Sequence, residues 1–181
     1  MRTLLLCLIF SLMVAVLASC GSKTVSPPPK PEASYAEEAI VVHLKADKHL
    51  NLFQNSPHAL HLCLYQLSNP NSINQYSSDA GGISQLLRCK SFDPSVTMSR
   101  KIVMQPGSES TTVMDRAQGS AYLALAAGYY TMDREHAVRL VQIPVVEETT
   151  GWFRKTTTRR LGKLEVTFEL GPESLKKIGD E

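Results

Sequence analysis

The chain has 181 residues, 43% of them hydrophobic, and a formal net charge of +2 at pH 7. That balance lacks the domain-wide basic bias on which nucleic-acid binding usually depends. No apolar run reaches the roughly 20 residues that a membrane-spanning helix requires, and the length suits one domain with a substantial core.

The first element is a signal. Arg2 precedes an apolar run from Leu4 to Leu17, which closes in Leu17-Ala18-Ser19-Cys20. A charged start, a short apolar stretch and small residues before a cysteine read as a bacterial lipoprotein signal peptide over residues 1–19. Small side chains at Ala18 and Ser19 let an extended backbone enter a peptidase site, and the Cys20 thiol is the nucleophile that can carry a diacylglycerol thioether. The alternative is an ordinary secretory signal that happens to contain a cysteine. Gly21 follows Cys20, instead of the aspartate that holds many enteric lipoproteins at the inner membrane, so outer-membrane sorting is the expectation.

Residues 20–38 read as a lipidated cysteine and tether. Pro27, Pro28, Pro29 and Pro31 favour an extended chain, at about 3.1 Å per residue. The domain proper is placed at 39–181. Ile40, Val42 and Leu44 alternate with Val41, His43 and Lys45, a strand pattern. Asp47 to Ala59 is a loop rich in Asn, Ser and Pro, yet it carries Leu50, Leu52 and Phe53. Apolar residues in a loop imply either a tucked-in Ω-like segment or an exposed contact surface. Leu60–Leu67 has apolar residues on both faces, as a central strand does. Ile83, Leu86 and Leu87 predict a short helix over 82–88, while 72–81 is ambiguous.

Further strands are expected at Arg100–Gln105, which ends in the turn dipeptide Pro106-Gly107, at Thr111–Met114, at Ala121–Tyr130 and at Arg139–Val145. Gly151-Trp152-Phe153 opens a basic segment, Arg154–Arg160. It reads as a solvated hairpin; contact with anionic lipid or peptidoglycan, or with an acidic protein patch, is the alternative. Leu164, Val166, Phe168 and Leu170 alternate with polar residues as in a half-buried antiparallel strand. Residues 173–178 could form one or two helical turns. Seven or eight short strands with regular turns predict an all-β sandwich.

Chemistry is sparse. No nucleophile elbow, P-loop or dinucleotide fingerprint occurs. His58 and His61, or His43 and His49, do not form a metal-ligand spacing. Asp133-Arg134-Glu135 reads as a solvated loop, and no catalytic residue, metal or cofactor is expected. Cys7 leaves with the signal and Cys20 is committed to lipid, so Cys63 and Cys89 remain. Beyond the signal the compartment is oxidising, which favours a disulfide; two separate buried thiols is the other reading.

Several pieces in order carry a family resemblance: the lipobox, the strand Leu60-His61-Leu62-Cys63-Leu64-Tyr65-Gln66-Leu67, the turn Gln105-Pro106-Gly107, the run Ala121-Tyr122-Leu123-Ala124-Leu125-Ala126-Ala127-Gly128-Tyr129-Tyr130, and Arg139 beyond it. Together they resemble the TssJ (SciN) lipoproteins of the bacterial type VI secretion system over most of residues 40–170. The resemblance implies a transthyretin-like antiparallel β-sandwich with short added helices and no enzymatic activity. It also implies an outer-membrane anchor that binds the periplasmic domain of TssM and, through it, TssL. The family's contact loop corresponds to Asp47, Lys48, His49, Leu50, Asn51, Leu52, Phe53, Gln54 and Asn55. Many members have Leu-Asn-Pro where this chain has Leu50-Asn51-Leu52-Phe53, and the basic segment is an insertion. The competing readings are a different envelope interaction lipoprotein, such as a pilotin-like factor, and a ligand-binding sandwich with a cleft lined by Tyr129 and Tyr130 or by Trp152 and Phe153.

Overall fold

The computed structural model of the chain describes residues 30–131, 134–152 and 156–178. The predicted signal, Cys20, the tether up to Pro29, Asp133 and the stretch 153–155 lie outside the described residues.

Two four-stranded sheets face each other. One has the order β10-β9-β1-β4 and the other β3-β2-β5-β6, with β7 and β8 forming a separate two-stranded ribbon. The strands are β1 (Ala36–Ala46), β2 (Leu60–Leu67), β3 (Val96–Met104), β4 (Glu109–Arg116), β5 (Tyr122–Ala127), β6 (Val138–Gln142), β7 (Val145–Thr150), β8 (Thr156–Leu161), β9 (Leu164–Leu170) and β10 (Leu175–Lys177). Three short helices accompany them: α1 (Asn71–Ser77), α2 (Ala80–Leu86) and α3 (Arg134–Ala137). Alternation of side chains across the strands sets the core. Ile40, Val42 and Leu44 of β1 and Leu164, Val166 and Phe168 of β9 meet Leu60, Leu62 and Leu64 of β2 and Leu123 and Leu125 of β5.

The opposite face of β2 is buried as well, as its sequence requires. Cys63, Tyr65 and Leu67, with Ala124 and Ala126 of β5, pack against Ile73 of α1 and Leu86 of α2. These helices roof the second sheet. Asp79 caps α2 by accepting a hydrogen bond from the Gly82 amide at 2.7 Å. A Cβ at Gly82 would lie 2.1 Å from the Tyr76 carbonyl oxygen, so only glycine allows the two helices this approach. The Cys63–Cys89 disulfide fastens the roof's C-terminal end to β2. The β3–β4 turn is the expected Pro106-Gly107, with Gly107 at φ 71.

Several expectations are corrected. The strand expected over 139–145 breaks in two, because Pro144 has no N–H to continue the ladder, and β7 leaves the sheet to pair with β8. Leu164–Leu170 pairs in parallel with β1, and is antiparallel only to β10. The tail expected to be helical forms β10 instead. The ambiguous stretch contains α1, whose only buried side chain is Ile73, too little to show a helical stripe. The helix expected over 82–88 starts earlier, at Ala80.

The end of the expected tether is docked. Gly119 N donates to Ala33 O at 2.8 Å, and buried Arg116 donates through Nε to Ser34 O at 3.0 Å and through Nη1 to Gly162 O at 2.8 Å. The Tyr35 hydroxyl donates to Asp115 Oδ2 at 2.6 Å, and Asp115 Oδ1 accepts from Glu38 N at 2.9 Å. Proline content alone could not reveal these pairings, since the partners lie about 80 residues downstream, as 83 for Tyr35 and Gln118.

Two predictions follow from these locks. Replacing both Cys63 and Cys89 by Ala reopens a loop of sequence separation 26, and denaturant unfolding should show a loss of about 3 kcal/mol. The Tyr35 hydroxyl is pushed up from 10.0 to about 12, first by its bond to Asp115. Asp115 is lowered from 3.8, first by that same bond. Tyr35's contribution is therefore full below pH 10.0 and lost as the pH rises through about 12. Asp115's contribution is present above 3.8 and lost as the pH falls through its lower folded value. In an alkaline absorbance titration, Tyr35→Phe should lack one late-titrating tyrosine, and Asp115→Asn should return that tyrosine towards its ordinary range.

Candidate partner-binding surface

The β1–β2 loop is built, not loose. Asp47 anchors its start: its N–H donates to Leu170 O at 2.9 Å and its carbonyl accepts from Gly107 N at 3.0 Å. The Asp47 carboxylate accepts from His49 N at 2.6 Å and lies 3.3 Å from the His49 ring. Leu50 is fully buried in the sandwich core. Asn51 is the hinge pin. It is buried, it sits at φ 48, and its side chain bridges two segments, with Nδ2 donating to Ala59 O at 3.0 Å and Oδ1 accepting from Tyr130 N at 2.8 Å. Asparagine tolerates the left-handed region better than most residues, which suits this position. Leu52 N donates to Pro172 O at 2.8 Å, tying the loop to the β9–β10 connection.

Beyond Leu52 the chain reverses tightly. Phe53 and Ser56 exchange backbone hydrogen bonds of 2.9 and 3.0 Å around Gln54 and Asn55, both with positive φ (48 and 60). Positive φ at both central residues is the geometry of a type I′ turn. This turn holds Phe53 outward, 42% exposed, with its ring stacked on Tyr130 at 4.9 Å and 21°. Tyr130 is 59% exposed and also meets His58 edge-on at 5.0 Å. His58 Nδ1 is buried with no hydrogen-bond partner among the described residues. The result is an exposed aromatic surface with polar edges, formed by the loop and the segment just past β5.

The loop residues named from the sequence therefore divide. Leu50 and Asn51 are structural, and Leu52 is half-buried. Asp47, Lys48, His49, Phe53, Gln54 and Asn55 reach solvent. His58 lies in the same loop beyond the residues named as its contacts, and Tyr130, which carries no loop signal, is brought to it only by the tertiary fold. Tyr129, considered as a cleft-lining residue, is instead core, with its hydroxyl donating to Ser174 O at 2.9 Å and burial raising its pKa. A recess of about 330 Å³ lies beside the loop, lined by Lys45, Asp47, Glu169, Gly171, Pro172 and Lys176 among others, and the proposed tyrosines are not in it.

His61 is placed beside the disulfide, with Nε2 3.5 Å from each sulfur and 2.8 Å from Leu87 O, to which it donates. With the sulfurs bonded to each other, neither is the thiolate that a zinc site needs. In the basic segment, Arg159 pairs with Glu147 at 2.9 Å and Arg160 with Glu148. The ribbon thus satisfies these charges within itself, whereas Arg154 and Lys155 lie outside the described residues.

The chain is thus a two-sheet β-sandwich with a filled core and an exposed aromatic pair at one end. The sequence comparisons name the group. Residues 38–172 match the family described as type VI secretion lipoprotein, VasD, EvfM, TssJ, and the chain belongs to that family, whose members are structural lipoproteins of the type VI secretion membrane complex. Among solved structures, the fold is similar to the T6SS lipoprotein TssJ1 from Pseudomonas aeruginosa, with 16% identity over 82% of this chain and 96% of that one, and a TM-score of 0.56. Serratia marcescens Lip, a membrane-bound component of the type VI secretion system, is similar at 15% identity over 82% and 99%, with a TM-score of 0.56. A chain described as the T6SS protein TssM C-terminal domain (869-1107) from EAEC aligns at 13% identity over 77% and 96%, with a TM-score of 0.57. A comparison with curated protein sequences gives no match.

The division of the loop is testable by stability. Leu50→Ala removes a fully buried side chain and should cost about 2–5 kcal/mol in denaturant unfolding. Phe53→Ser should change stability by less than about 1 kcal/mol, as exposed substitutions do.

Proposed function

We propose that this domain is held at the periplasmic face of the outer membrane by acyl chains on Cys20 and there binds the periplasmic domain of TssM, which links it to TssL. The observation that carries the reading is the stacked, exposed Phe53–Tyr130 pair on a hydrogen-bonded loop, in a chain of the type VI lipoprotein family. Large aromatics fixed in place before binding make good interface anchors, because little side-chain entropy is lost on association. The loop's likeness in position to the family's contact loop and the alignment with a chain described for TssM support the choice of partner. Residues 1–19 are then the cleaved signal, and residues 20–29 supply reach.

Two rival readings remain distinguishable. A different envelope interaction lipoprotein would use the same surface for another partner. A ligand-binding module would need a cleft lined by Tyr129 and Tyr130 or by Trp152 and Phe153; Tyr129 is spent in the core, and Trp152 is 91% exposed.

Phe53→Ser and Tyr130→Ser, measured against a purified periplasmic TssM domain, should each weaken binding at least about tenfold, the loss of a moderate hot spot. Circular dichroism and melting should be unchanged. Binding unaffected by both substitutions would move the contact elsewhere. Wild-type protein that binds no TssM domain would favour the first rival.

A further inference from the structure

The charges of the chain are unevenly spread. Residues 86–104 hold four cations, Arg88, Lys90, Arg100 and Lys101, and one carboxylate, Asp93, a larger net charge than the +2 of the whole chain. All four cations are exposed. Among the described residues none of these four side chains has a hydrogen-bond or ion-pair partner, whereas Arg160 pairs with Glu148. Asp93 is committed locally, its carboxylate accepting from Ser95 N at 2.7 Å. Arg100 and Lys101 lie on β3, an edge strand, where exposed cations discourage pairing with other chains. Arg88 and Lys90 lie on no strand, so that account does not reach them.

These two cations line a recess of about 340 Å³, together with Tyr76, Gln85, Ser91 and Phe92, and no carboxylate is among the lining residues. Its walls are fixed before anything binds. The Phe92 ring meets core Tyr65 edge-on at 5.2 Å and Tyr76 at 4.9 Å. Cys89, between Arg88 and Lys90, is bonded to Cys63 of β2. The recess also neighbours the aromatic pair. Leu87, next to Arg88, accepts from His61 Nε2 through its carbonyl at 2.8 Å, and a Cβ on Gly128 would lie 3.3 Å from Leu87 Cδ1. Tyr130 is two residues beyond Gly128, about 7 Å of extended chain. One side of a standard interface, about 800 Å², is wide enough to cover both features.

We propose that this recess is the electrostatic half of the partner contact, in which carboxylates of the protein that covers Phe53 and Tyr130 seat against Arg88 and Lys90; this rests on the TssM reading put forward above. The guanidinium of Arg88 offers a planar fork that matches a carboxylate in two parallel hydrogen bonds, and Lys90 adds a point charge beside it. Tyr76 and Phe92 give the stem of an acidic side chain an apolar wall. The aromatic pair supplies buried area, while the cations speed encounter and fix the partner's register.

The test measures binding of the full-length acylated lipoprotein, in detergent, to a purified periplasmic TssM domain between about 50 and about 300 mM salt, the range over which exposed charges become screened. Arg88→Glu and Lys90→Glu should each weaken binding about tenfold at low salt and flatten its salt dependence. Phe53→Ser should weaken binding and leave the salt dependence as in the wild type. Lys163→Glu makes the same change in net charge at the start of β9, whose other end holds the loop, and should alter binding by less than about twofold. Melting of each variant is followed in parallel, and Arg88→Gln, which only removes the charge, replaces Arg88→Glu if that variant does not fold. Binding that falls with Phe53→Ser but is unchanged by Arg88→Glu and Lys90→Glu overturns the recess and leaves the aromatic contact standing. Equal losses from Arg88→Glu and Lys163→Glu also overturn it, because net charge alone is then responsible. Wild-type protein that binds no TssM domain removes the reading itself, and the recess with it.

Discussion

Burial of β2 on both faces is the constraint on which the rest of the structure depends. One face, Leu60, Leu62 and Leu64, closes the sandwich core. The other, Cys63, Tyr65 and Leu67, would leave apolar area in water unless something covered it. The roof of α1 and α2 exists for that face, and two links hold it: the Cys63–Cys89 disulfide and the Tyr65 hydroxyl, which donates to Leu86 O. The strand also carries its own polar joint. Gln66 is fully buried, yet its amide donates to Asp115 O at 2.8 Å and its carbonyl accepts from Ala117 N at 2.8 Å. A buried amide satisfied on both sides stabilises where an unsatisfied one would cost. It ties β2 in one sheet to the end of β4 in the other.

That joint places the N-terminal locks. Asp115, whose carbonyl binds Gln66, uses its carboxylate to hold Tyr35 and Glu38. Next to it, Arg116 reaches across to Ser34 and Gly162. β1 thus joins two structurally distinct ends of the domain. The chain enters beside the β7–β8 ribbon at one end, and the asparagine-pinned loop presents Phe53 and Tyr130 at the other.

Much of the sandwich was legible from alternation. The two-faced apolar pattern of Leu60–Leu67 and the strict alternation of Leu164–Leu170 each led to a strand of nearly that extent. Strand direction was not legible, because alternation reports burial and says nothing of parallel or antiparallel pairing. The ribbon's departure at Pro144 was written in the sequence, but the run of β-formers on both sides concealed it. The site was half legible. Apolar residues in a polar loop flagged it, yet nothing local separates Leu50, which is core, from Phe53, which is surface; the sorting comes from the buried Asn51 and from Tyr130, 79 residues downstream. The docking of residues 32–38 depends likewise on side chains far along the chain.

The parallel pairing of β1 with β9 has a mechanical side. β1 lies in the interior of its sheet, bonded along its length to β4 on one side and to β9 on the other. A pull applied through the N-terminal segment first meets the bonds of residues 32–35 and then acts along the axis of β1. It loads two ladders at once, in shear, so many hydrogen bonds must fail together. A terminal strand at a sheet edge, pulled sideways, would unzip one bond at a time. The interior position of a single strand thus sets how the domain resists a pull on its N-terminal segment.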